Sequence, residues 1–178
     1  MRAWALWVAA ALLSVAALSP GAFAQNLPPA VQPLYSGRHG AWEVACARVG
    51  TTDTYCNLGQ GAHYEGGGPA TLILGVHLRR EGEYVFLHFE PGFKKDSDIT
   101  FLTDKKDAGE LKQVDGKTLR ILPERSQVHI KQFMAGNILV VQFVPNGDDK
   151  KRIARFDLAG FTASMNDARA QLKAALGK

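Results

Sequence analysis

Two cysteines ten residues apart, Cys46 and Cys56, lie in segments where apolar and polar residues alternate. That combination restricts the chain to strands whose register is pinned by sulfur. If Ala41 to Arg48 and Thr54 to Gln60 form a hairpin around Gly50-Thr51-Thr52, Cys46 falls opposite Cys56, and Trp42, Val44 and Leu58 share their face. A slip of one residue would turn both the sulfurs and the apolar set to solvent. These are the only cysteines in the sequence, and an oxidising compartment favours their pairing.

The same period-2 alternation continues downstream. Residues 70 to 90 read as a hairpin turning at Glu81-Gly82, with Leu72, Leu74, Val76, Leu78, Val85, Leu87 and Phe89 on one face. Pro91 to Gly116 reads as a charged, solvated connection holding one edge strand, Ile99 to Leu102. Lys117 to Leu122, Gln127 to Met134, Ile138 to Val144 and Arg152 to Leu158 read as further strands. The third of these is apolar on both faces apart from Gln142, which predicts a central position. Met165, Ala168, Leu172 and Ala175 or Leu176 recur at helical spacing, predicting a C-terminal helix over 163–176 capped by Thr162. The class predicted is all-β: a two-layer antiparallel β-sandwich with one C-terminal α-helix, a closed barrel being the alternative.

Residues 1–24 combine Arg2, an apolar run from Ala3 to Leu18 and the small-x-small pattern Ala22-Phe23-Ala24. Those are the three parts of a cleavable signal peptide. Ser14, Ser19, Pro20 and Gly21 keep the apolar stretch below the ~20 residues that span a bilayer. The expected product is a periplasmic or secreted chain starting at Gln25. Residues 25–40, with Pro28, Pro29, Pro33, Gly37 and Gly40, read as an extended leader, and 41–178 as a single domain. Arg2 is the only charged residue ahead of Gln25, so the processed chain carries a net charge of +3 against +4 for the whole. That permits weak association with an anionic membrane surface. Acids and bases alternate in the same loops, so no single-sign field builds up, and nucleic acid is not an expected partner in an exported compartment.

Motifs for catalysis are not found. Gly116-Lys117-Thr118 lacks the earlier glycine of a phosphate loop, whose place Leu111 occupies. Asp96-Ser97-Asp98 is followed by Thr100 and Phe101 where a calcium loop needs an acid and a glycine. Ser36, Ser97, Ser126 and Ser164 stand in no nucleophile elbow. No catalytic residue and no cofactor are therefore assigned. With Glu81-Gly82 as the turn, His77 and His88 become diagonal neighbours on the non-core face, a candidate copper or zinc pair with Glu90 nearby. The same face carries Ile73, Arg79, Tyr84 and Phe86, a mixture typical of binding surfaces. Packing beneath the C-terminal helix is the other explanation for it.

Two segments resemble the invasion-associated locus B family of exported bacterial proteins. Gly40-Ala41-Trp42-Glu43-Val44-Ala45-Cys46 is similar to that family's G-x-W-x-V-x-C opening, with Cys56 where the partner cysteine is expected. Phe156-Asp157-Leu158-Ala159-Gly160-Phe161-Thr162-Ala163-Ser164 is similar to its closing strand, Gly-Phe turn and terminal helix. Many members carry a second cysteine pair, which this chain lacks. The resemblance implies an immunoglobulin-like sandwich in the periplasm or at the outer surface, with a non-enzymatic role toward a protein or envelope component, and an association with host-cell invasion. The alternatives are a periplasmic metal-binding protein using His77 and His88, or an enzyme whose site assembles only on folding.

Overall fold

The structure, a computed structural model, describes residues 31–51, 53–66, 70–112 and 116–177, and the side chains of these except at 107–112. The expected signal peptide and the first residues of the leader lie outside them. Five consecutive strands form an antiparallel meander: β1 (Val31–His39), β2 (Trp42–Val49), β3 (Asp53–His63), β4 (Thr71–Arg79) and β5 (Gly82–Phe89). The short strand β8 (Thr118–Arg120) completes a six-stranded sheet in the order β1-β2-β3-β4-β5-β8. A second, four-stranded sheet has the order β10 (Arg152–Asp157), β9 (Ile138–Phe143), β6 (Asp98–Thr103), β7 (Lys106–Lys112). Two helices, α1 (Pro123–Ala135) and α2 (Phe161–Ala175), complete an all-β sandwich with a C-terminal helix. Immunoglobulin domains divide consecutive strands between their sheets. Here five stay together, so what is shared is the pair of antiparallel layers.

The inner face of the large sheet is the one predicted. Trp42, Val44, Cys46, Cys56, Leu58, Leu72, Leu74, Val76, Leu78, Val85, Leu87 and Phe89 are all buried. Cys46 pairs with Cys56 in the β2–β3 ladder, and the two are joined as a disulfide. Opposite them, Ile99, Phe101, Leu139, Val141, Phe143, Ala154 and Phe156 form the second layer. Phe143 joins the layers edge-on to Phe89 at 5.1 Å, Tyr64 at 5.7 Å and Phe93 at 5.8 Å, the geometry favoured by ring quadrupoles. Helix α2 closes one end of the sandwich, where Phe161 meets Trp42 at 4.8 Å and Phe133 of α1 at 5.7 Å.

Several expectations require correction. The leader is not free up to Gly40, because residues 31–39 pair with β2 as an edge strand. Pro33 is tolerated there because it sits at a register shift on a strand with one open side. The segment 127–134 is helix, not strand. Ser126, His129, Ile130 and Phe133 are buried at helical spacing, whereas Val128, part of the alternating pattern, is 55% exposed. Pro123 at the helix start favours this outcome. The connection between 91 and 116 holds two strands, and the segment expected at an edge, β6, is internal. Its hairpin with β7 turns at Asp104 and Lys105, both at positive φ, a conformation more often adopted by glycine or asparagine. The Asp104 carboxylate accepts backbone N–H bonds from Asn137 and Ile138, which hold its pKa down. Thr162 does not cap α2. The cap is Gly160 at φ 86°, where a side chain would collide with the His39 carbonyl.

Helix α1 is fixed to the large sheet by Ser126, whose hydroxyl accepts from the Val85 N–H and donates to the Ile121 carbonyl, each at 2.9 Å. Glu83 of β5 receives a bidentate pair from Arg169 of α2 at 2.7 and 2.8 Å, and Gln127 of α1 adds a third donor. Burial opposes the charge on Glu83, but these donors outweigh it and lower its pKa.

His129 lies among Phe101 and Phe133, and its Nδ1 has no partner. Burial, with Arg125 nearby, keeps it neutral by lowering its pKa. An unfolded chain with an ordinary histidine therefore takes up a proton that the folded chain refuses, so stability is complete above about pH 6.5 and falls as pH drops below it. One such group contributes a slope of at most about 1.4 kcal/mol per pH unit. Urea unfolding between pH 7.5 and 5 should show a fall in stability, and His129→Gln should make it shallower. An unchanged slope in that variant would contradict the assignment.

Candidate functional site

The opposite, outer face of the large sheet is where the sequence places its binding residues. It is not covered by α2, which packs on the inner side through Phe161, Met165, Ala168 and Leu172. Glu43, Ala45, Gly61, Ile73 and Arg120 are exposed, and Tyr55, Asn57, His77, Arg79, Tyr84, Phe86 and His88 half-buried. The face is organised in rows across the strands. Glu43, Gly59, Gly75, Phe86 and Arg120 stand side by side on β2, β3, β4, β5 and β8. On one side of this row run Ala45, Asn57, His77 and Tyr84, and on the other Gly61, Ile73, His88 and Thr118.

The Phe86 ring lies flat over Gly75, where a Cβ would come within 2.4 Å of its Cζ. Beside that ring, missing side chains at Gly59 and Gly61 leave a shallow trough of about 520 Å³ walled by Ile73, Thr71 and Asn57. The glycines that mark it were legible as interruptions in β3 and β4. They were not read as a cavity because their register with Phe86 depends on the β4–β5 turn.

The polar end of the face is tightly bonded. Arg79 Nε donates to His77 Nε2 at 2.5 Å, so that nitrogen is an acceptor and the proton resides on Nδ1, which donates to Asn57 Oδ1. His77 is held neutral by burial first and by Arg79 and Arg120 second, all lowering its pKa. Its ring stacks on Tyr55 at 5.2 Å, and Arg79 lies over the same tyrosine, 5.9 Å from the ring centre. Arg120 lies over Tyr84 at the same distance. Among the described residues Arg79 is balanced by Asp53 at 3.4 Å, while Arg120 meets no carboxylate.

The structure does not bring His77 and His88 together. The turn is Arg80-Glu81, with Arg79 paired to Gly82, one residue earlier than expected. His77 therefore faces Tyr84, and His88 faces Ile73, four residues further along β4, about 13 Å at strand rise. His88 bonds Thr118 at 2.8 Å and Glu90 at 3.3 Å, and Glu90 is claimed by Lys117 at 2.6 Å. Among the described residues no group of three or more His, Cys, Asp or Glu is placed to hold a metal.

One cluster has no counterpart in the sequence reading. Asp167 on α2 accepts from Tyr35 at 2.6 Å, contacts His39 Nε2 at 3.0 Å and accepts from Gln171 at 3.3 Å. The Asp167 hydrogen bond is the main cause of the raised Tyr35 pKa. This clasp ties the edge strand to the helix. It was hidden because Tyr35 and Asp167 are 132 residues apart and Tyr35 lies in the segment read as leader.

Comparison with protein-family models, with curated proteins and with solved structures finds no match. Among the described residues no helix is long and apolar enough to cross a membrane. Fold and site define a disulfide-linked antiparallel sandwich with one open aromatic and cationic sheet face.

Proposed function

We propose that this chain is an exported, non-enzymatic protein of the invasion-associated locus B type, acting at the cell envelope by binding a partner through the outer sheet face, with a contribution to host-cell interaction. The observation that carries the reading is that face: three aromatic rings, two guanidinium groups and a glycine-floored trough, left open where a monomer would ordinarily expose scattered polar groups. Aromatic and arginine side chains around a depleted centre are the composition of energetic anchors at protein interfaces. The disulfide is compatible with an oxidising compartment.

A photo-crosslinking residue placed at Ile73 in living cells should give adducts that are absent when it is placed at Lys150, and osmotic shock should release a chain beginning at Gln25. Equal adducts at both positions, or a cytoplasmic chain with reduced cysteines, would overturn the proposal.

A further inference from the structure

The trough of the outer face has one apolar and one polar wall, and we infer that its occupant is an uncharged glycan strand of N-acetylated hexosamines, the polymer of the bacterial cell wall. The inference rests on the reading of this face as a partner-binding surface and names the partner's chemistry. The floor is Gly59 and Gly61. On the β4 side the wall is apolar: a Cβ at Gly59 would stand 3.9 Å from Ile73 Cγ2, one at Gly61 would stand 2.9 Å from Thr71 Cγ2, and the Phe86 ring covers Gly75 beside Gly59. The other wall is polar, with Glu43 beside Gly59 and Asn57 two residues before it. These two side chains have opposite roles. Arg79 donates to His77 and His77 donates to Asn57 Oδ1, so Asn57 keeps its amide N–H groups for a ligand. Glu43, with its side chain 72% exposed, is an acceptor whose ion pairing among the described residues is a 4.0 Å contact to Arg38. Asn57 and Glu43 are diagonal neighbours across β2 and β3, about 7 Å apart, so both reach a single group between them. An acetamido group matches the set. Its carbonyl accepts from Asn57, its N–H donates to Glu43, and its methyl enters the glycine gap against Ile73. The sugar ring that carries it has an apolar C–H face for Phe86.

The trough continues past Glu43. A second hollow of about 410 Å³, reaching Ser36 and Arg38, shares Glu43 and Ala45 with the first. Together they cross the sheet from β1 to β5, about 19 Å at the spacing of strands, a length that takes a linear polymer. A peptide fits less well. Strands β2 and β3 are paired on both sides, whereas an extended peptide draws its affinity from main-chain bonds at an open sheet edge. A charged polymer fits less well too, because the charges lining the two hollows are one carboxylate, Glu43, and one guanidinium, Arg38. Arg120 lies beyond Phe86, over Tyr84, outside both hollows.

NMR titration of the purified, disulfide-bonded protein with a soluble tetramer of N-acetylglucosamine tests the inference, a glucose tetramer being the control. The N-acetylated tetramer should shift the amide signals of Gly59, Gly61 and Ile73, and the glucose tetramer should leave them in place. The protein should also co-sediment with isolated cell-wall sacculi. Gly59→Leu fills the trough and should abolish both effects. The fold should tolerate it, since a Cβ at Gly59 meets nothing nearer than the Leu74 carbonyl at 3.4 Å. Glu43→Ala, at an exposed position, should weaken binding about ten-fold, the lower figure for losing a hydrogen bond to a charged group. Equal shifts from the two tetramers, or binding indifferent to Gly59→Leu and Glu43→Ala, overturns the acetamido assignment. Binding to the tetramer without binding to sacculi overturns the cell wall as its source. If neither tetramer binds but adducts from position 73 to another protein vanish in Gly59→Leu, the glycan inference fails and the partner-binding reading stands. Absence of tetramer binding with adducts that ignore Gly59→Leu removes both.

Discussion

Trp42→Ala should lower the free energy of unfolding by about 4 kcal/mol, the scale found when a large aromatic is removed from a core. Trp42 is fully buried, packs edge-on against Phe161, and donates its indole N–H to the Asp157 carbonyl at 2.9 Å. Three elements meet at this side chain: β2, the end of β10 and the start of α2. Truncation opens a cavity beneath the helix and leaves a carbonyl without its donor, so the loss exceeds that from apolar area alone. Trp42→Phe separates the contributions, since it keeps much of the packing and loses the hydrogen bond; about 1 to 2 kcal/mol is expected for it. Urea unfolding followed by circular dichroism would measure both. A Trp42→Ala protein with unchanged midpoint would mean that α2 is not seated on this residue.

Removal of the disulfide should be the next largest effect. Cys46 and Cys56 close a loop with a sequence separation of 10, for which the chain-entropy model gives about 3 kcal/mol. A double Cys46→Ala, Cys56→Ala variant should therefore unfold at lower urea. It should also do so with a steeper dependence on denaturant, because its unfolded chain is no longer cross-linked and exposes more surface. The native ladder already places these residues directly opposite each other, so the folded state should keep its register. Equal stability in the oxidised parent and the double variant would show that the cross-link restrains the unfolded chain little.

The parts of the fold legible in the sequence are those where two independent signals coincide. In the first hairpin the sulfurs and the apolar face demand one register, and that register is present. In the second hairpin the face was legible but the pairing was not. Moving the turn by one residue shifts every cross-strand pair by two, which preserves which side is buried and changes which residues meet. That shift explains why Leu72, Val76 and Phe89 are where they were expected while His77 and His88 are not neighbours. Helix α1 was missed because Val128, Ile130 and Met134 mimic strand alternation, and the competing helical stripe is partly polar, with Ser126 and His129 in it. Strand β7 was missed because its turn uses Asp104 and Lys105 in the left-handed region rather than glycine. The identity of the open face was legible in Arg79, Tyr84 and Phe86. Its shape was not, since Gly59 and Arg120 reach it from strands far apart in sequence.

The seating of α2 over β1 and β2 has a consequence for the order of events during synthesis. Trp42 awaits a carbonyl 115 residues downstream, and Tyr35 a carboxylate 132 downstream. The earliest strands can pair with each other as they emerge, yet their apolar side stays unsealed until nearly the whole chain has been made. Sealing of this layer therefore waits on the synthesis of α2, the last of the described elements.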